Sequence, residues 1–166
     1  MADSVSNDEL RVLAGDAPDG QILHEELICF AVYSAHHAIN RAYRPLLDRI
    51  GLTYPQYIAL MVLWRDDGLT IGELCRRLRM ETSTLTPLLK RLERLGHVVR
   101  TRGTRDEREV YVSLTPQGRD VQRHAPEITR CIVAATRMDA GSLQELVSAL
   151  TSLRDGLDDA GKESHA

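Results

Sequence analysis

The stretch TSTLTPLLKRLERLGHV, residues 82–98, limits the fold more than any other. Leucines at 85, 88, 89, 92 and 95 recur at the i, i+3, i+4, i+7, i+10 spacing of one helical face, and Gly96 stands where a helix takes its C′ residue. Ser83, Thr84, Thr86, Lys90 and Arg91 fall at the start or on the opposite face. Pro87 is read as lying within the first turn, where a lost backbone donor costs least, which predicts a start near Thr82 or Ser83. A helix apolar on one side needs cover, and LTIGELCRRLRM just upstream supplies it. Thr70 and Glu73 have the spacing of a capping box, and Leu74 and Leu78 share a face, so a short helix is predicted over Ile71–Leu78. Downstream, VVRTRGTRDEREVYVSL reads as two short strands, Val98–Arg102 and Glu109–Leu114, around an arginine-rich tip. Two short helices, a tight turn and a hairpin make a winged helix-turn-helix, whose second helix fits a DNA major groove while the hairpin reaches an adjacent minor groove.

Charge supports that reading once it is located. The 166 residues carry a net charge of −3, yet between Arg76 and Arg108 ten basic residues face four acidic ones. The first 27 residues hold seven acids against Arg11 alone. A basic segment inside an acidic protein is the footprint that phosphate binding needs.

The rest of the chain reads as flanking helices. Residues 1–20 lack apolar periodicity and read as a mobile arm. A long helical pattern runs from about Gln21 to Ile50, with Pro45 predicting a bend or break. Thr53 and Pro55 open a second helix that lasts to about Arg65. Thr115-Pro116 opens a long helix into the 130s, and a last helix spans about Ala140 to Leu157. The fold class is therefore mainly α with a small β-hairpin wing. Residues 53–115 are assigned to DNA binding, and residues 21–52 and 116–160 to a helical dimerisation region. No apolar run is long enough to span a bilayer and the acidic N-terminus is no signal peptide, so the expected location is cytoplasmic.

Cys29, Cys75 and Cys131 are too widely and irregularly spaced for a disulfide framework or a CxxC metal site. In EELICFAVYSA, residues 25–35, Cys29 reads either as a small core hydrophobe or as a reactive thiol. Other stretches bear on that choice. LICFAVYSA, AYRPLLDRIGLTYPQY, TSTLTPLLKRLERLG and RDEREVYVSLTPQG resemble the MarR family of dimeric winged-helix repressors, and within it the organic-hydroperoxide-sensing OhrR type. The resemblance spans Leu23 to Gly118.

That resemblance implies a role for each of several residues. Cys29 takes the place of the peroxide-reactive cysteine, and Tyr43 and Tyr54 match tyrosines that hydrogen-bond this sulfur across the dimer interface. Tyr33 matches another tyrosine near the pocket. Cys131 stands about where two-cysteine members place a resolving thiol from the other subunit, although its local sequence also suits a buried structural cysteine. At the wing, the resemblance implies that Arg108 enters the minor groove with Asp106 bracing the wing, and Arg105 of the basic segment is a further DNA-binding candidate. The implied partners are a double-stranded operator, an organic hydroperoxide and a second copy of the chain.

Competing chemistry is sparse. His36 and His37 point about 100° apart on a helix, and the remaining histidines lack ligand spacing, so neither a metal nor another cofactor is expected. There is no P-loop, GxGxxG or Ser/His/Asp pattern, and an enzyme is not expected. Cys75, next to Leu74, reads as core. The alternative function is a repressor released by a small phenolic or acidic ligand at the dimer interface, without redox chemistry.

Overall fold

The computed structural model describes residues 27–103 and 109–163. Its elements are α1 (Ile28–Asp48), α2 (Tyr54–Arg65), β1 (Leu69–Thr70), α3 (Ile71–Leu78), α4 (Thr82–Arg94), β2 (Val98–Arg102), β3 (Val110–Leu114) and α5 (Pro116–Asp120). A 3-10 turn over Val121–His124 follows, then α6 (Ala125–Thr136) and α7 (Ala140–Glu163). The chain divides into two compact units at residues 125 and 126.

The first unit contains the helix-turn-helix and wing. Thr70 Oγ1 accepts the Glu73 N–H at 3.2 Å while Glu73 Oε2 accepts the Thr70 N–H at 2.8 Å, so the capping box that starts α3 forms as its spacing requires. The α4 stripe packs inward: Leu85, Leu89 and Leu92 are fully buried, as are Leu60, Leu63, Leu74, Val98 and Val112 of the same core. Each such leucine contributes about 1.5–3 kcal/mol relative to exposure. Leu95 at the end of the stripe stays 39% exposed. There the Gly96 N–H bonds Glu93 O and the His97 N–H bonds Leu92 O, both at 2.9 Å, a Schellman closure that turns the chain into β2.

Several expectations are corrected. The wing is part of a three-stranded antiparallel sheet in the order β1-β3-β2, because Leu69 and Thr70 pair with Val112 and Tyr111. Pro45 does not break α1, which runs three residues farther to Asp48. Pro87 is the sixth residue of α4 and not in its first turn, so the Ser83 carbonyl loses its helical donor. The long helix expected after Thr115 is interrupted by the 3-10 turn, just before Pro126, which cannot donate to Gln122 O. Gly118 in α5 is fixed by contact: any Cβ there would sit 2.0 Å from His97 O.

In the second unit, Asp139 caps α7 by accepting the Ser142 N–H at 3.0 Å and its hydroxyl at 2.7 Å. The helix runs to Glu163, past the expected end at Leu157. Leu143, Leu146, Leu150, Leu153 and Leu157 recur along it at alternating intervals of three and four, the a and d spacing of a heptad, before Ala160 takes the next such position. Leu146 and Leu150 are each 44% exposed and Leu157 66%. Among the described residues, no helix is long and apolar enough to cross a membrane.

Candidate nucleic-acid interface and thiol site

On the outer side of α4, Ser83, Thr84, Lys90 and Arg91 are exposed and Thr86 is half-buried. These five occupy one surface because the leucine stripe commits the other face to the core. The wing residues Arg105, Asp106 and Arg108 lie outside the described residues. Other arginines in the basic segment serve the scaffold. Arg77 pairs with Asp66, and Arg100 binds Glu93 through Nη2 at 2.8 Å and Nε at 2.9 Å, tying β2 to the end of α4. Arg76, Arg94 and Arg102 add exposed charge.

The Arg100 guanidinium holds the Glu93 carboxyl below its usual range, and hydrogen bonds from Thr70 do the same for Glu73. A carboxyl depressed by folding stabilises above the unfolded value of about 4.3 and loses that effect as pH falls through the folded value. Burial pushes the His97 imidazole down, so its protonation below about pH 6.5 also opposes folding. Urea midpoints are accordingly expected to decline below about pH 6.5 and to decline further below about pH 4.5. The part below about pH 4.5 should be shallower in Glu73→Gln/Glu93→Gln protein; identical acid limbs in wild type and variant would contradict these assignments.

The three cysteines differ in setting. Cys29 is exposed near the start of α1, beside Leu27 (37% exposed) and Ile28 (62%). Cys131 is exposed on α6. Cys75 is half-buried at the junction of α3 and α4, its Sγ 3.6 Å from Thr82 Oγ1, and is not the core residue expected.

Tyr33 lies one turn beyond Cys29, 60% exposed, with its ring edge-on to His37 at 4.4 Å. Tyr43 and Tyr54 come together as a pair, ring centroids 4.8 Å apart. Tyr57, which no local pattern singles out, extends the cluster at 6.1 Å from Tyr43 and reaches Trp64 at 5.7 Å. Burial raises the phenol pKa of both Tyr43 and Tyr54, which keeps them neutral hydrogen-bond donors at physiological pH. Beside Tyr54 opens a groove of about 410 Å³ lined by Asn40, Arg44, Leu47, Leu52 and Pro55 among others.

Cys29 and Tyr43 are fourteen residues apart on one continuous helix. At 100° and 1.5 Å per residue they lie within about 40° of one face but about 21 Å apart along the axis. Within one chain the thiol and the phenol pair do not meet.

Comparison with known proteins gives this arrangement a context. The sequence model of the family described as Transcriptional regulator SarA/Rot matches residues 41–124. The chain is similar to the HTH-type transcriptional regulator TtmR of Methylorubrum extorquens, at 46% identity over 84% of this chain and 71% of that protein. It is also similar to the organic hydroperoxide resistance transcriptional regulator of Bacillus subtilis, at 38% identity over 80% and 90% of the two chains. Among solved structures, reduced AbfR bound to DNA superposes with a TM-score of 0.71 at 30% identity, covering 80% of this chain and 90% of that one. The disulfide-formed structure of AbfR, a protein of Staphylococcus epidermidis, superposes with a TM-score of 0.56 at 30% identity, over 80% and 88% of the two chains.

Proposed function

The chain belongs to the winged-helix MarR/SarA family of DNA-binding transcriptional regulators, and we propose that it is a homodimeric repressor that senses organic hydroperoxides through Cys29 and then releases its operator. The observation that carries this reading is the spacing of Cys29 and Tyr43 on α1. A second copy of α1 running antiparallel across that face sets the partner subunit's Tyr43 beside Cys29, and the two-fold axis repeats the contact. Tyr54, packed on Tyr43, comes with it. The sensor is thus complete only in the dimer. Exposed Val32, Tyr33 and Ile39 on α1 and the leucine row of α7 supply apolar surface for that assembly. In this reading residues 21–52 and 116–160 dimerise, and residues 53–115 bind DNA.

The chemistry follows from these groups. Neutral phenols donate to sulfur and favour the thiolate, the form that attacks peroxide. The Cys29 sulfur takes the distal peroxide oxygen, the O–O bond breaks, and the departing alkoxide gains a proton to become the alcohol. Sulfur is left as a sulfenic acid. The thiolate of the partner subunit's Cys131 then attacks that sulfur, a disulfide forms, and the hydroxyl gains a proton and leaves as water. Leu27 and Ile28 are exposed and Phe30 half-buried around Cys29 at the start of α1, an apolar surrounding that suits organic hydroperoxides better than hydrogen peroxide. On DNA, the α4 face with Ser83, Thr84, Thr86, Lys90 and Arg91 enters the major groove, and Arg105 and Arg108 of the wing follow the minor groove with Asp106 as brace. The organic-hydroperoxide relative and the reduced and disulfide forms of AbfR support this assignment.

The test uses wild type, Cys29→Ser and Cys131→Ser, each treated with one equivalent of cumene hydroperoxide. Non-reducing gels are expected to show a cross-linked dimer in wild type alone. Cross-linking in Cys131→Ser protein would remove Cys131 from the scheme.

A second reading rests on the groove beside Tyr54. Arg44 and the apolar Leu47, Leu52 and Pro55 line it and suit a small phenolic or carboxylic ligand, which competes with Asp48, also in the lining and 4.0 Å from Arg44 Nε, for the guanidinium. It predicts that such a compound releases DNA from Cys29→Ser protein as readily as from wild type.

A further inference from the structure

Segments far apart in the sequence meet at the base of the wing, and one carboxylate joins them. Asp67 lies between the end of α2 and β1. Its Oδ1 accepts the Gly68 N–H at 2.9 Å and the Leu114 N–H at 2.8 Å, and its Oδ2 pairs with the Arg119 guanidinium. Leu114 ends β3 and Arg119 belongs to α5. The β1–β3 ladder pairs Leu69 with Val112 and Thr70 with Tyr111, a register that would set residue 67 opposite residue 114. Gly68, at φ +72°, turns the backbone at that point, and the Asp67 side chain makes the bond to the Leu114 N–H. One turn earlier, Trp64 Nε1 donates to Gly118 O at 2.9 Å. Thr115 N donates to His97 O at 3.0 Å, which joins the same junction to the residues that follow α4.

We propose that Asp67 is a positioning residue for DNA recognition, locking the base of the wing to the helix-turn-helix body so that α4 and the wing meet the duplex at one fixed spacing. The inference rests on the reading of α4 and the wing as the DNA-contacting surface. Leverage makes this more than local stability. Five residues of β3 span about 17 Å, so a tilt of roughly 10° at the base moves its far end, where Val110 pairs with Arg102, by about 3 Å. That displacement is as long as a hydrogen bond and removes an arginine from its phosphate or base edge. The buried Val98, Val112 and Leu114 hold the sheet on the core. Hydrophobic contact is non-directional, however, and the Asp67 bonds supply the direction.

The test is salt-dependent binding by the full-length protein to a labelled duplex selected by wild type from a random-sequence library. The active fraction of each sample is first titrated with excess duplex, so unfolded molecules lower the amplitude and not the slope. Asp67→Ala is expected to weaken binding about tenfold or more, and to lower the slope of log affinity against log salt by about one to two as wing cations leave the phosphates. Asp67→Asn keeps an acceptor for Leu114 but loses the charge facing Arg119, and should fall between. Arg102→Ala should lower the slope by about one in wild type and by less in the Asp67→Ala background. Weaker binding at the wild-type slope would make Asp67 a stability residue and overturn the proposal. If Asp67→Ala does not fold, Arg119→Gln breaks the same clamp and is judged by the same slope. Wild type without salt-dependent binding overturns the DNA-contacting surface itself, whereas a wild-type slope kept in the variants overturns only the role of Asp67.

Discussion

Cys29→Ser protein is expected to bind operator within about twofold of wild type and to keep that affinity after organic hydroperoxide, where wild type loses on the order of 100-fold. Two features of the molecule set these expectations apart. Cys29 is exposed on α1, outside the core of the DNA-binding unit, so an oxygen in place of sulfur costs little folding energy. A serine hydroxyl cannot attack the O–O bond under these conditions, so the oxidised state is never reached. A loss of about 100-fold corresponds to about 2.7 kcal/mol of differential affinity between the two redox states, which a change in the spacing of two reading heads can supply. The measurement is operator binding by fluorescence anisotropy before and after one equivalent of cumene hydroperoxide, with a mass spectrum of each sample. Release of DNA from Cys29→Ser protein by peroxide would sink the thiol mechanism. Release by a phenolic acid but not by peroxide in wild type would favour the groove beside Tyr54.

How much of the molecule is legible in its sequence depends on the range of the interactions. The capping box of Thr70 and Glu73 and the leucine stripe of α4 are local, and they place α3 and α4 at the residues where the structure has them. The strand β1 has two residues and exists only because β3 lies beside it, so no local pattern announces it. Asp67 is equally silent: it stands just past the expected end of a helix at about Arg65, and nothing nearby says that its carboxylate reaches Leu114 and Arg119, 47 and 52 residues away. The interruption at Val121–His124 does carry a signal, Pro126, which outweighs the helical pattern around it. The leucine row of α7 is legible by its spacing, whereas its exposure is not. For Cys29 the obstacle is of another kind. In the proposed sensor its chemistry depends on Tyr43, and the company of those two residues is a property of two chains.

That dependence gives the second large effect, expected from Leu150→Glu. Leu150 is the central residue of the α7 row, and a two-fold interface buries it twice. Leu150 keeps 44% of its surface in the single chain, and covering that share of a leucine contributes about 0.7–1.3 kcal/mol, so its loss from both copies costs about 1.3–2.6 kcal/mol before the glutamate charge is counted. The dimer dissociation constant should rise by at least about 10- to 100-fold. Ser148→Glu, on the opposite side of α7, places the same charge away from the row and should leave the dimer intact. Sedimentation equilibrium reads the assembly, and far-ultraviolet circular dichroism checks that the helices persist. A Leu150→Glu protein that remains dimeric at wild-type strength would show that the row faces something other than a second copy. The monomer should also lose operator affinity, because one head reads one half-site. It should lose peroxide reactivity as well, although Cys29, Tyr43 and Tyr54 are all still present. Separated by about 21 Å along α1, the thiol and the phenols of one chain cannot cooperate, and Cys29 in a monomer should react with cumene hydroperoxide no faster than an ordinary exposed cysteine.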